Sequence, residues 1–423
     1  MLGLVIVMGP EIILLAVLAG TIGAAIGTFT GLVPGIHVNT AATILLGAYP
    51  FMENLISGYV DPVWAPVLIS CCIMSASAVH SFVDFVPSVF IGVPDSDDTL
   101  SVLPGHRLMM DGRGMVAVMA AAIGSVIGSV SALALSIPLQ WILLQGAIDY
   151  IDYFTAGIIC LTIAIIIYNS SNKIATIALF IVSGIFGYIV QADVIPVYGI
   201  IDGGTMLFPL LTGLFGIPPL LERASSARYR KQRDDGRDPV GPAPGFMGVI
   251  AGLIAGWFPG VTATAGATLM SAFVKERDPA RFISMTASIG TVTSVFSILT
   301  LSVSGSGRSG TTMVIKQIIG DSLDGFCSGP FLLILFSIAI ASVFGYAATI
   351  WCGKFMSQIC ERIPADLLNN AVLILITILV VITVGPFGLP VLILAAVVGS
   401  IPPSIGVGRV CLIGCLMLPV LLS

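Results

Sequence analysis

Arg308 stands in the stretch Ser302-Val-Ser304-Gly-Ser306-Gly-Arg308-Ser309-Gly310, a lone guanidinium in an otherwise apolar part of the chain. Small residues around it can fold their N–H groups into an anion nest, and a nest with a guanidinium suits a carboxylate. A charge deep in a bilayer costs roughly 2.5–3.5 kcal/mol, so such a residue usually has a partner or a function; a structural ion pair with Asp84 or Asp95 is the plainer reading. His80 and Asp84 are four residues apart, hence on one helix face, where they would relay a proton or a sodium ion or simply satisfy each other. Asp95 follows the Val93-Pro94 break, in position to face a cavity. His37, Asn39 and Thr40 follow Pro34-Gly35, and Thr262 and Thr264 follow Pro259-Gly260; these offer donors and acceptors beside a chain break. The chain has no H-E-x-x-H, Walker A loop, G-x-S-x-G elbow or dinucleotide fingerprint.

Those breaks organise the chain. Gly27-Thr-Phe-Thr-Gly31-Leu-Val-Pro34-Gly35 returns 225 positions later (27 to 252) as Gly252-Leu-Ile-Ala-Gly256-Trp-Phe-Pro259-Gly260, and Gly23 pairs with Gly248 on the same shift. Pro lacks the N–H, and Gly readily adopts φ > 0, so each Pro-Gly interrupts an apolar helix and leaves backbone groups open. In lipid, such groups persist only when buried in protein or lining a watery cavity. Paired interrupted segments in two half-chains point to a transporter's binding site. Packing through Gly-x-x-x-Gly alone is the blander account.

Composition sets the class. With 57% hydrophobic and 9% charged residues and a mean hydropathy of +1.08, the chain is an all-α polytopic membrane protein; soluble domains carry roughly 25% charge. The start shows neither a charged leader nor a small-residue cleavage site, so a cleaved signal peptide is not expected. Eight scattered cysteines without C-x-x-C pairs read as small buried hydrophobes. Apolar runs at 11–31, 38–52, 63–94, 115–145, 154–168, 174–192 and 195–221 precede a basic stretch, 222–244. Runs at 246–258, 261–274, 282–304, 330–351, 371–384, 387–401 and 405–422 follow it.

Lys and Arg accumulate on the cytoplasmic side. With 222–244 inside, alternation places 15 of the 17 basic residues inside and leaves Arg308 and Lys316 elsewhere. The expected organisation is therefore residues 1–221 as a first repeat, 222–244 as a cytoplasmic linker and 245–423 as a second repeat of inverted topology. Each repeat holds one interrupted Pro-Gly hairpin and about five further spans, and both termini lie outside. The total is 10 to 12 crossings, depending on whether each Pro-Gly element is re-entrant or two full spans.

The repeated Gly-x-x-x-Gly-x-x-Pro-Gly resembles the large membrane subunit of the tripartite tricarboxylate transporter family. So does Gly92-Val-Pro94-Asp95-Ser96 leading to Leu103-Pro104-Gly105-His106-Arg107 and Asp111-Gly112-Arg113-Gly114. The likeness spans both halves at the level of motifs. His37 and Thr262 depart from it, and the chain is shorter than the usual permease. The departures and the length mark a divergent, stand-alone member; the resemblance itself implies a permease for an organic carboxylate, with secondary, ion-coupled uptake across the cytoplasmic membrane. It also implies a small membrane subunit and an extracytoplasmic binding protein as partners.

The leading reading is a secondary transporter rather than an enzyme, without cofactor beyond Na+ or H+ as coupling ion. Pro34, Gly35, His37, Asn39, Thr40, Pro259, Gly260, Thr262, Thr264, Ser306 and Arg308 would hold the carboxylate. Asp84, Asp95 and His80 would carry the ion. The lipid bilayer is the surrounding partner, a homodimer is compatible with the reading, and no nucleic acid is expected. A transporter of a cation or zwitterion such as an amino acid is the alternative. An intramembrane enzyme built on His80 and Asp84 is a weaker one, since two ligands do not complete a metal site.

Overall fold

The computed structural model describes residues 9–33, 38–92, 102–192, 194–200, 205–221, 231–233, 240–257, 266–267, 270, 278–305, 307 and 309–422. Among them every regular element is helical. The first half runs α1 (Pro10–Leu32), α2 (Val38–Gly47), α3 (Tyr49–Ile56), α4 (Ala65–Val83), α5 (Phe85–Phe90), α6 (Val102–Met110), α7 (Gly114–Ile142), α8 (Ile148–Asn169) and α9 (Lys173–Gln191). It ends with α10 (Leu207–Leu211) and α11 (Ile217–Leu221), joined by a wide helical turn at Thr212–Gly216. The second half contains α12 (Ala243–Trp257), α13 (Pro279–Ser304), α14 (Gly310–Ile319), α15 (Gly329–Arg362), α16 (Ala365–Val384), α17 (Gly388–Ser404) and α18 (Gly414–Leu422). Six described segments are long and apolar enough to cross a membrane: 10–32, 62–90, 114–146, 173–191, 279–304 and 329–362.

Local chemistry sets many of the boundaries. Pro in the first turn of α1, α4, α13 and α15 lacks an N–H that would be an orphan there anyway. Asp278 and Asn172 cap the first turns of α13 and α9, and Ser309 with Thr312 forms a capping box on α14. Gly92 (φ 76) ends the α4–α5 segment as Gly305 (φ 67) ends α13, both left-handed stops.

On α1 burial is inverted relative to a soluble protein. The inward face of α1 is Ala16, Gly20, Gly23, Ala24, Gly27 and Gly31, while Leu14, Leu18 and Phe29 face outward. Lipid is as apolar as leucine, so helices associate through close backbone packing over small residues. A methyl at Gly23 would overlap the Cys72 carbonyl, and one at Gly27 the Ala76 carbonyl. Gly31 lies over the His80 carbonyl. Each four-residue step on α1 matches one on α4, so the two run parallel. The residues between them must return the chain to its starting level, and α2 and α3, packed on α4, do so.

These contacts recur in the second half. Gly248 and Gly252 of α12 lie against the carbonyls of Met285 and Ile289 on α13. Gly187 and Gly414 join α9 to α18 through the carbonyls of Cys415 and Phe180, while Gly399 and Gly213 join α17 to the Thr212–Gly216 turn through those of Leu214 and Leu392. The halves are also interlocked: α7 packs along α13 and α15 along α4. Where α7 meets α15, Ser129 Oγ lies 2.6 Å from Ser342 Oγ, and Gly353 packs on Val118. Stepping back from 129 to 118 goes with stepping forward from 342 to 353, so these two helices are antiparallel.

Two expectations from the sequence change. The run 195–221 is not one helix: 194–200 is irregular and exposed, and its Tyr198 and Ile200 N–H groups donate to the Val384 and Ile382 carbonyls at the end of α16. Pro196 and Gly199 break it, and Gly199 fits directly against the Thr383 carbonyl. Of the cysteines, all free, Cys160 is exposed on α8, and Cys72 and Cys327 are half-buried; the other five are buried.

Candidate functional site

His80 and Asp84 lie on one face at the end of α4, both buried. His80 Nδ1 is 3.0 Å from Thr30 Oγ1 on α1. The Thr30 hydroxyl is also within reach of the Gly27 carbonyl, and when it donates there its oxygen is left to accept from His80 Nδ1–H. Asp84 occupies the junction of α4 and α5, its N–H donating to the His80 carbonyl. Gly31 rests against this corner, 3.1 Å from the His80 carbonyl and 3.2 Å from the Asp84 nitrogen if given a methyl. The end of α1, just before the first Pro-Gly, is thereby seated on the His80–Asp84 pair.

Asn39, in the first turn of α2, reaches the other half. Its Oδ1 accepts from the Thr311 N–H (2.9 Å) and the Thr311 hydroxyl (2.7 Å) in the first turn of α14. Gly310 leaves the room: a methyl there would be 2.8 Å from Asn39 Cγ. Two helix N-termini thus meet, one following the first Pro-Gly and one following the Arg308 stretch. The N–H groups of Ser309 and Thr312 are engaged within the α14 cap, so part of the expected nest is already spent on the protein.

Pro34, Gly35, His37, Asp95, Pro259, Gly260, Thr262, Thr264, Ser306 and Arg308 lie outside the described residues, as does the side chain of Thr40. Of the expected site, the structure brings Asn39 to the α14 terminus and His80 to Asp84. Among the described residues, no three His, Cys, Asp or Glu side chains are grouped to hold a metal ion.

A polar seam runs through the crossing of α4 and α13. Ser77 Oγ lies 3.0 Å from Ser294 Oγ. Around that pair Ser81, Gly290, Thr293, Ser294 and Ser297 are only half-buried in helices otherwise enclosed, and nothing lies within 4 Å of a methyl built on Gly290. Ser81, Thr293 and Ser297 donate their hydroxyl hydrogens to the carbonyls of Ser77, Gly290 and Ser294 on their own helices. What they turn outward is oxygen lone pairs.

Gln140 and Gln232 have no place in the sequence motifs, and His106 stands there only as part of one. Gln140, fully buried on α7, donates to Ser302 Oγ (3.1 Å) and the Gly325 carbonyl (3.3 Å), and accepts from the Cys327 N–H (2.9 Å). Gln232, within the basic linker, is buried against the α6–α7 turn. His106 Nδ1–H donates to the Val89 carbonyl near the end of α5 (2.9 Å). A glutamine in a span or linker carries no pattern to flag it, though an uncharged polar residue amid apolar ones is a usable signal.

A family model described as the tripartite tricarboxylate transporter TctA family matches residues 15–414. An uncharacterized protein of Methanocaldococcus jannaschii is 28% identical over 367 residues, covering 85% of this chain and 86% of that one. No solved structure matches. The motifs, the helical architecture and a match across nearly the whole chain agree: this chain belongs to the tripartite tricarboxylate transporter TctA family.

Proposed function

We propose that the chain is a permease that moves a small organic carboxylate across the cytoplasmic membrane by ion-coupled alternating access. The observation that carries this is the antiparallel meeting of α7 and α15 at Ser129–Ser342 and Val118–Gly353. Together with the recurring glycine contacts, it supports two inverted repeats, 1–221 and 245–423, about a cytoplasmic linker. Inverted repeats exchange inward and outward states by swapping conformations between halves.

In this reading the carboxylate is held between the two Pro-Gly elements, with Asn39 and the α14 terminus supporting the stretch that carries Arg308. Helix N-termini favour negative charge. A coupling metal cation belongs with the acceptor oxygens of the α4–α13 seam and with Asp84 and Asp95, because hard cations take oxygen ligands, whereas His80 would carry a proton. A small membrane subunit and an extracytoplasmic binding protein are the expected partners.

The test is thermal stabilisation of the purified protein by a panel of di- and tricarboxylates, with and without sodium and at two pH values. A ligand at 100 times its Kd raises stability by about 2.7 kcal/mol. A shift with one carboxylate that needs sodium or acid, and is lost in Pro259→Ala, supports the proposal. A shift with amino acids or cations and none with carboxylates refutes it.

A further inference from the structure

The two ends of the helical core, its mouths in the permease reading, are tied by the same chemical group from unrelated places. At one mouth Gln140, near the end of α7, uses its carboxamide to tie the last turn of α13 (Ser302) to the loop entering α15 (Gly325, Cys327). At the other mouth the end of α15 faces the turn entering α7, the matching place if the halves are repeats. There α15 supplies Glu361, and the carboxamide comes from the linker. Gln232 Nε2 donates to the Met109 carbonyl (3.0 Å) at the end of α6, and its Oε1 accepts from the Gly114 N–H (2.9 Å) at the start of α7. One side chain therefore caps two helix ends. The backbone follows: Gln232 N–H donates to Glu361 Oε1 (2.7 Å) and Arg233 N–H to the Gly112 carbonyl (2.9 Å). The fit is close, since a methyl on Gly114 would meet both Gln232 Oε1 and the Phe90 ring at 2.8 Å.

The difference between the mouths matters. Gln140 is built into a span of the core and cannot leave without unfolding it. Gln232 belongs to no helix, and its neighbours Lys231 and Arg233 are exposed, so it can withdraw while the helices stay intact. We propose that Gln232 is a detachable pin: a positioning residue, delivered by the linker, that holds the inner ends of α6, α7 and α15 together and sets when that mouth opens. Its role in transport rests on the permease reading above; its role as a pin does not require a substrate to test.

Cys360 is the reporter. It is buried, 1% exposed, beside Glu361 and in the same apolar cluster as Leu108 and Met109. The experiment is the rate of maleimide labelling of Cys360 in the full-length protein in detergent, read by mass spectrometry, with buried Cys71 and Cys415 as internal references. Gln232→Ala is expected to raise Cys360 labelling at least tenfold while Cys71 and Cys415 stay unchanged. Glu361→Ala, a change at an exposed position, should act in the same direction by several-fold, and Gln232→Glu should give an intermediate rate. Unchanged Cys360 labelling in Gln232→Ala and Glu361→Ala overturns the proposal. So does a uniform rise at all three cysteines, which would mean a merely structural role. Carboxylate binding that is absent while Cys360 responds as expected would sink the permease reading and leave the pin standing.

Discussion

Asn39 offers the sharpest test of how the halves are joined. Its carboxamide oxygen accepts two hydrogen bonds from Thr311, one from the backbone of the first turn of α14 and one from the hydroxyl. Losing a cap on a helix N-terminus costs typically about 1 kcal/mol, and the neutral hydroxyl bond contributes about 1 kcal/mol more. Asn39→Ala should therefore destabilise by about 2 kcal/mol and Thr311→Val by about 1 kcal/mol. In the double variant the hydroxyl term is lost only once, so its effect should match that of Asn39→Ala alone, with a coupling of about 1 kcal/mol. The assay is a double-mutant cycle on reversible unfolding of the solubilised protein, with ligand binding followed in parallel. Full additivity would refute the contact. Asn39→Asp separates structure from function, because it keeps the acceptor and adds a charge. For a carboxylate roughly 8 Å away at an effective dielectric of about 20, the repulsion is about 2 kcal/mol, or roughly thirtyfold in affinity. An Asn39→Asp protein that folds and binds carboxylate with unchanged affinity would remove the anion from this end of the molecule.

Other predictions follow from the packing. Gly27→Ala, against the Ala76 carbonyl, and Gly252→Ala, against the Val292 side chain, force helices apart and should each cost about 1–3 kcal/mol, seen as loss of monodisperse protein after solubilisation. Gly290→Ala meets open space and should be tolerated; a loss as large as that of Gly27→Ala would show that the seam is closed. Gln140→Leu strips partners from the Cys327 N–H and the Gly325 carbonyl and should destabilise by about 2–4 kcal/mol, with faster hydrogen exchange confined to residues 320–328. Lys316→Gln removes an exposed ion pair with Asp321 and should leave the melting temperature unchanged, because such pairs are screened by water and salt.

Much of this architecture was legible because membrane burial writes a strong signal. In lipid a chain pairs its backbone groups most simply as a helix, so most long apolar runs are helices, and the 225-residue echo of Gly23, Gly27 and Gly31 marks the surfaces by which α1 and α12 meet their neighbours. His80 and Asp84 were readable as one face from their spacing. The reach of Asn39 to Thr311 was not, since the two are far apart in sequence and no local pattern encodes a contact between halves. Residues 195–221 misled because apolar composition alone does not distinguish a span from an exposed irregular stretch feeding N–H groups to the carbonyls of another helix. Gln232 stayed hidden for the opposite reason: a hydrophilic linker gives no sign that a polar residue within it is buried.

The interlocking of α7 with α13 and α15 with α4 has a consequence for biogenesis. The chain emerges from its N-terminus, so α4 and α7 enter the bilayer before either of their partners has been synthesised. Until α13 arrives, Ser77 and Ser81 face lipid or an insertion factor, and the nascent first half is an unfinished surface. Half-chains expressed separately should each be short-lived, yet survive when made together, because each supplies the wall against which the other completes its fold.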